Sequence, residues 1–159
     1  MVKETDLGKE RLRDVPNRAR LNAWGPLKGA GIRVTRISKD FREVDIEMKL
    51  TRKNRNYVGT HYGGSLYSMT DPFYMLMLME HLGRDYIVWD KSANIRFRRP
   101  GRGRVRAEFR ISDEQLSSIR EQLQTIEKVE PTFTVEVKDE AGEVVAVVEK
   151  VVQVRKKQG

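Results

Sequence analysis

An apolar segment in the middle of the chain, flanked on both sides by alternating strand patterns, most restricts the possible folds. Residues 64–82 are rich in apolar side chains over a length typical of a buried helix. Residues 41–51 alternate strictly between apolar and charged side chains, as a strand with one buried face does. Further strand patterns occur at 31–37, 86–99, 102–112, 132–138 and 143–154.

This order of elements predicts an α+β fold in which a six-stranded antiparallel sheet wraps around the central helix at about 64–82. The last strand pattern is apolar on both faces, which is typical of a central strand. A second amphipathic helix is predicted at about 113–129, opened by a Ser112–Gln115 capping box. We expect a single domain over residues 1–159, with an N-terminal helical segment at 1–24 and the core at 25–155.

Composition restricts the chemistry more than it identifies it. The chain of 159 residues contains no cysteine, which excludes disulfides, thiol nucleophiles and thiolate metal sites. Two histidines argue against a zinc or iron site, so no metal is expected. No signal-peptide or membrane-spanning pattern is found, and a cytoplasmic location is expected. The formal charge of +8 predicts attraction to anions without choosing among nucleic acid, anionic lipid and phosphate-bearing small molecules.

Four features in register over residues 56–101 carry a family resemblance. They are Asn56, the pair Gly63-Gly64, Asp71 and the segment "IRFRRPG" at 95–101. With the order of elements, they resemble the hotdog fold and, more narrowly, the acyl-CoA thioesterases of the phenylacetate-degradation (PaaI-like) type. The segments "DPFYMLM" and "YIVWDK" further resemble a branch of hotdog proteins without an assigned function.

The resemblance implies hydrolysis of an acyl-CoA, or of an acyl-carrier-protein thioester, at a site formed across a dimer interface. Asp71 would be the general base or the nucleophile, and the Gly64 amide would donate to the oxyanion. The resemblance implies no cofactor, since coenzyme A is part of the substrate. It also implies a homodimer, or a homotetramer built from dimers, in which sheets join edge to edge.

The chain departs from the family pattern at three places. Tyr62 stands where the family has a histidine directly before the two glycines, and His61 lies one position earlier. Asp90 falls near the position of a small hydroxyl residue on the third strand. The predicted helix at 113–129 replaces a short turn, and it could cover a sheet edge, close the acyl tunnel or mediate tetramer contacts.

Asp71 has two interpretations. The sequence Thr70-Asp71-Pro72 is a helix N-cap pattern, in which the carboxylate would accept from backbone N–H groups. Its spacing to Asn56 and to the glycine pair instead favours the catalytic position, because a cap explains none of that spacing. If the helix begins at Gly64, Pro72 removes a hydrogen bond and should kink the helix beside the site.

Other candidate residues also keep alternatives open. His61 is either a catalytic base or a loop histidine bonded to backbone, and Asn56 either contacts the substrate or holds its loop. The arginine-rich segment 96–106 is either a solvated sheet face paired with acids or, near its turn, a contact for the phosphates of coenzyme A. The candidate substrate-binding residues are Gly63, Tyr62, Ser68, Asp90, Arg98, Arg99 and Arg102.

Two other functions are compatible with the sequence. A hotdog protein that binds an acyl-CoA or a protein partner without catalysis is favoured by the replaced histidine and hydroxyl. A basic nucleic-acid-binding protein is the weaker alternative, because no recognition helix or aromatic-studded strand accompanies the charge.

Overall fold

The computed structural model of the chain describes residues 16–158. Two short helices come first, α1 at Arg18–Ala23 and α2 at Gly25–Ala30. The Asn17 side chain caps α1, and Gly31 ends α2 in the left-handed region at φ 77°. Helix α1 agrees with the N-terminal helical segment predicted at 1–24, whereas α2 lies beyond it, where no helix was predicted. The part of that segment before residue 16 lies outside the described residues. None of the helices in the described range is long and apolar enough to cross a bilayer.

Seven strands form one antiparallel sheet in the order β1-β2-β4-β6-β7-β3, with β5 paired to β7. The strands are β1 Ile32–Ile37, β2 Glu43–Lys49, β3 Tyr86–Phe97, β4 Arg104–Arg110, β5 Lys128–Val129, β6 Thr132–Lys138 and β7 Val144–Lys156. β7 lies between β6 and β3, as its apolar pattern predicted. The sheet has one strand more than predicted, because the short β5 extends the pairing of β7 beyond the end of β6.

The central segment is two helices, and the prediction of one helix over 64–82 is wrong in this respect. Helix α3 spans Gly63–Ser68 and α4 spans Phe73–Leu82. Pro72 has no N–H to donate, and its ring clashes with the carbonyl four residues earlier, which kinks or breaks a helix; here the helix is broken. The chain therefore leaves the helical path at residues 69–72, and Asp71 lies inside this break.

The inner face of the sheet packs against α3 and α4 to form the core. Phe109 of β4 contacts the rings of Phe73 and Tyr74, with centroids 4.9 and 5.1 Å apart. Tyr74 also stacks on Phe133 of β6 at 4.4 Å. Each such ring contributes roughly 1.5–3 kcal/mol by leaving water. These contacts fix α4 across β4 and β6.

Helix α5 spans Asp113–Thr125, four residues shorter than predicted at its C-terminal end. Ile126 is already extended, and the chain then enters β5. The apolar stripe of α5 is buried through Leu116, Ile119 and Leu123. The helix is therefore part of the chain's own core. Both hydrogen bonds of the predicted Ser112–Gln115 capping box are present.

Replacing Ser112 by alanine tests the capping box, because it removes the acceptor of the Gln115 N–H at 3.1 Å. We expect the free energy of unfolding to fall by about 1 kcal/mol in urea denaturation. Ser117→Ala is the matched control, since Ser117 is exposed within the same helix. Alanine is the better helix former there, so equal losses in both variants would contradict the cap assignment.

Candidate active site

The two glycines open α3 at the end of the edge strand β3. A Cβ atom on Gly63 would lie 3.1 Å from the Phe97 ring, and one on Gly64 would lie 2.5 Å from the Tyr62 ring. Only glycine therefore fits beneath these two rings without rearrangement. The N–H groups of Gly63 and Gly64 precede the first hydrogen bond of α3, which Ser65 N–H donates to the Tyr62 carbonyl.

Asp71 lies in the break between α3 and α4, and its side chain does not cap α4. The capping residue of α4 is Pro72, and no side chain bonds to the helix N-terminus there. The Oδ1 atom of Asp71 instead accepts from the Tyr67 hydroxyl at 3.1 Å and from the Lys150 ammonium at 3.0 Å. The capping interpretation is therefore wrong, and the half-exposed carboxylate is held by side chains.

Lys150 is the residue that the sequence reasoning missed. Its position on β7 faces inward, directly opposite Phe133 of β6, and the side chain is 0% exposed. The ammonium donates to Asp71 Oδ1, to the Asp71 carbonyl at 2.7 Å and to Asp90 Oδ2 at 2.7 Å. A signal was present, because the alternation of β7 puts Lys150 in the same inward row as Val148 and Val152. A lysine in an apolar row requires partners.

Asp90 joins the same cluster from β3, just before a register shift between Asp90 and Ser92. Burial raises the pKa of Asp90 above its ordinary value, and the Lys150 ammonium offsets only part of this effect. Burial also lowers the pKa of Lys150, but hydrogen bonds and charge attraction from Asp90 and Asp71 outweigh it and leave that pKa raised. The Oδ1 atom of Asp90 is buried without a hydrogen bond in the described chain.

Asn56 uses its side chain to shape its own loop. Its Oδ1 accepts from the N–H groups of Val58 and Thr60, and its Nδ2 donates to Thr60 Oγ1 at 2.9 Å. The loop then exposes Tyr57 fully and Val58 largely to solvent. Of the two interpretations of Asn56, the contacts within this chain match the one in which it holds the loop.

His61 ties that loop to the turn between β3 and β4. Its backbone N–H donates to the Gly101 carbonyl, and its Nε2–H donates to the Gly103 carbonyl at 2.9 Å. Because a carbonyl only accepts, this bond fixes the proton on Nε2, and the buried Nδ1 atom has no partner among residues 16–158. Burial lowers the pKa of His61, which favours the neutral ring.

The arginine-rich segment divides into paired and unpaired side chains. On the outer sheet face, Arg104 bonds both carboxylate oxygens of Glu47 at 2.8 Å. Near the turn, Arg99 pairs with Glu143 at 3.0 Å. Arg96, Arg98, Arg102 and Arg106 are exposed and form no ion pair within the part of the chain that the structure describes. Two of these four, Arg98 and Arg102, lie at the β3–β4 turn.

The structure brings some of the predicted site residues together. Asp71 and Asp90 are joined through Lys150, while Gly63 lies against Phe97 and Gly64 lies against Tyr62. Asn56 bonds within its own loop, and His61 bonds to the β3–β4 turn. Ser68 is bonded to the Gly64 carbonyl at 2.8 Å and so belongs to α3 itself.

Comparisons with known proteins confirm the predicted fold. The model of a protein family described as a domain of unknown function (DUF4442) matches residues 15–154. No curated protein matches the chain in sequence. Among solved structures, a Pseudomonas aeruginosa protein of unknown function, named a probable thioesterase, is similar at TM-score 0.75 and 22% identity, with 96% of each chain covered.

Two further solved structures share the fold at lower identity. A thioesterase from Haemophilus influenzae is similar at TM-score 0.65 and 13% identity, covering 91% of this chain and 94% of that one. The PaaI protein from the phenylacetic acid degradation operon of E. coli is similar at TM-score 0.61 and 16% identity, covering 89% and 90%. The chain has the hotdog fold that the glycine pair and the order of elements predicted.

The lowered pKa of His61 predicts a loss of stability at acidic pH. The unfolded state, with an ordinary value of 6.5, binds the proton more tightly than the folded state. The free energy of unfolding should therefore fall as the pH drops below about 6.5 towards the folded-state pKa. His61→Gln keeps a donor for Gly103 but cannot be protonated, so the fall between pH 7 and 5 should be smaller in urea denaturation. The same slope in both proteins would contradict the assignment.

Proposed function

Because the chain belongs to the DUF4442 family and has the fold of several thioesterases, we propose that it hydrolyses acyl thioesters, acyl-CoA in particular. The observation that carries this proposal is the state of Asp71. Its carboxylate lies in a helix break and is held by side chains on one oxygen, while Oδ2 accepts no hydrogen bond from residues 16–158. A carboxylate fixed in this way is available to a substrate.

Asp71 drives the attack on the thioester carbonyl by one of two routes. As general base, it takes a proton from a water molecule whose oxygen attacks the carbonyl carbon, and the C–S bond then breaks to release the thiol. As nucleophile, it forms an acyl-enzyme anhydride with loss of the thiolate, and water then hydrolyses the anhydride. Both routes give a carboxylic acid and free coenzyme A.

The Gly64 amide donates to the oxyanion that develops on the carbonyl oxygen. Its N–H precedes the first hydrogen bond of α3, and the absence of a Cβ lets the Tyr62 ring lie directly against it. Because Tyr62 is largely exposed, its ring can turn aside when a substrate binds at this amide. Ser68 supports this arrangement by its bond to the Gly64 carbonyl.

Arg98, Arg99 and Arg102 bind the phosphates of coenzyme A. Arginine suits phosphate oxygens because its planar guanidinium donates two hydrogen bonds in parallel. Arg98 and Arg102 have no acidic partner within the described residues, and the Arg99 pair with Glu143 is half exposed. An anion that binds at this turn therefore competes with only one exposed ion pair of the described chain, that of Arg99 with Glu143.

The working unit is a homodimer that joins two sheets along β3. This strand is 12 residues long and pairs only with β7 in the described chain, so one row of its backbone groups has no partner. An exposed edge of this length is normally covered, and a second copy would do so by antiparallel pairing. Phe97 and Trp89 on β3 are about half exposed and would gain cover. The partner's Asn56 loop would then reach the Asp71 region.

A second candidate function is binding of an acyl-CoA without hydrolysis. The contacts of Asn56 and His61 favour it, since both side chains are engaged within their own loop and turn. Nucleic-acid binding has less support, because acids on β2 pair with the arginines of the outer face, as in Glu47 with Arg104 and Asp45 with Arg110.

Asp71→Asn tests catalysis directly. We expect turnover of a panel of short, long and aromatic acyl-CoAs to fall by at least about 100-fold, because the amide can neither take a proton nor attack. The chain contains no cysteine, so a thiol reagent reports released coenzyme A without background from the protein. Asp85→Asn is the matched control, an exposed aspartate in the turn before β3.

Three outcomes of this experiment separate the functions. Turnover that is lost only in Asp71→Asn supports the thioesterase. Saturable acyl-CoA binding with no turnover in either protein would establish the second candidate. Turnover that survives in Asp71→Asn would remove this carboxylate from the mechanism.

Lysines on the edge strand test the dimer. Ser92→Lys with Asn94→Lys puts charge along β3 and should give a monomer by light scattering, with loss of turnover. Thr132→Lys with Thr134→Lys is a closely matched control on β6. Val151 pairs with both Ser92 and Thr132, and Glu149 pairs with both Asn94 and Thr134. A dimer that persists in the β3 variant would exclude pairing along this edge.

A further inference from the structure

Lys150 is a charged residue on the inner sheet face, and its burial carries a large free-energy cost of desolvation. It is fully buried between strands whose inward positions are otherwise mostly apolar, including Phe133 directly opposite. A valine there would bury apolar surface without the desolvation of a charge, so the lysine is not explained by packing. Its three N–H donors are all used, on two oxygens of Asp71 and one of Asp90.

The first two of these bonds fix Asp71 at both ends. In an uninterrupted helix the Asp71 carbonyl would accept from the N–H four residues on, but α4 begins only at Phe73. Instead, Lys150 Nζ donates to this carbonyl at 2.7 Å and to the carboxylate Oδ1 at 3.0 Å. The Tyr67 hydroxyl adds a second bond to Oδ1. Rotation of the carboxylate is thereby restricted, and Oδ2 is the oxygen left for a substrate.

The third bond ties Asp71 to the strand that forms the sheet edge. Asp90 on β3 accepts from the same ammonium at 2.7 Å. The charged and titratable groups that face Lys150 are therefore Tyr67 from α3, Asp71 from the break and Asp90 from β3, while β6 presents the uncharged Phe133. Without the ammonium, two carboxylates would face each other across the position of a missing positive charge.

We infer that Lys150 is a positioning residue of the thioesterase site, which holds the Asp71 carboxylate between the helix break and β3 so that Oδ2 faces the thioester. This inference rests on the proposed thioesterase function. Lys150 does not touch the substrate, and it acts only through Asp71. A displacement of the carboxylate would therefore slow the chemical step more than it would weaken substrate binding.

The first test is Lys150→Met, which keeps an unbranched side chain one atom shorter and removes the charge. We expect kcat to fall about 100-fold with less than about a threefold change in KM, because misplacement of a reacting group acts on the chemical step. Lys156→Met is the control, an exposed lysine on the same strand. A purely structural lysine would lower the melting temperature but leave kcat per folded dimer unchanged.

A second pair of variants covers the case in which Lys150→Met does not fold. Lys150→Met combined with Asp90→Asn removes one carboxylate together with the ammonium, so the cluster holds no unbalanced pair of negative charges. Its kcat is compared with that of Asp90→Asn alone. Because the two variants differ only at residue 150, the ratio of the two kcat values measures the effect of the lysine. We expect this ratio to be about 100-fold as well. A ratio near one would overturn the inference.

Chemical rescue distinguishes the effect of the positive charge at residue 150 from the effect of the substitution on folding. The chain has no cysteine, so Lys150→Cys carries the single thiol, which 2-bromoethylamine converts to the lysine analogue thialysine in the unfolded chain before refolding. We expect kcat to recover most of its loss on this modification, whereas capping the thiol with iodoacetamide should not restore it. Equal activity of the two modified proteins would overturn the inference.

Failure of the inference can be told from failure of the proposed function. No turnover in the wild type with any thioester of the panel would overturn both. Turnover that is abolished by Asp71→Asn but unchanged by Lys150→Met would overturn the role of Lys150 alone.

Discussion

The sheet of this protein is covered by a helical segment that is broken at Pro72. Pro72 lacks an N–H and its ring would collide with the preceding turn, so the segment divides into α3 and α4. The aromatic cluster of Phe73, Tyr74 and Phe109 holds α4 on the strands, and Gly63 lets α3 lie close to the Phe97 ring. Asp71 lies in the break because both of its neighbouring helices are fixed by packing.

The ion pairs of the molecule are of two kinds, exposed pairs and one buried cluster, and they differ in their contribution to stability. Exposed pairs such as Arg99 with Glu143 contribute about 0–1 kcal/mol each, because water screens both charges. The buried Lys150 with its two carboxylates is different, because removal of one partner leaves an uncompensated charge out of water. The first set is weak and lies at the surface, and the second determines the geometry of one carboxylate.

Most of the fold could be predicted from the sequence because its strands alternate cleanly. Val44, Ile46 and Met48 mark the inner face of β2 without ambiguity, and Ser112 with Gln115 marks the start of α5. The extent of the helix break could not be predicted, since a proline gives the position of an interruption but not its length. β5 is two residues long and carries no period of its own.

The candidate site was predictable only in part. Asp71 and the glycine pair stand out by spacing, but their partner Lys150 is separated from Asp71 by 79 positions in the chain. In β7 both faces are apolar, so the position of Lys150 in the row of Val148 and Val152 indicates burial only once it is known which row faces inward. Only the pairing of β7 with β3 brings Asp90 to it. Local sequence therefore identifies the carboxylate but not the residue that holds it.

The position of Lys150 on the last strand has a consequence for the order of assembly. β7 must dock between β6 and β3 before Asp71 meets its counter-charge, and the β3–β7 contacts join residues about 60 positions apart. Such distant contacts form late, because closing long loops costs entropy before the contacts stabilise the chain. The Asp71 carboxylate therefore has no counter-charge from Lys150 until β7 has joined the sheet. Closure of the sheet and neutralisation of this carboxylate are linked at a single strand.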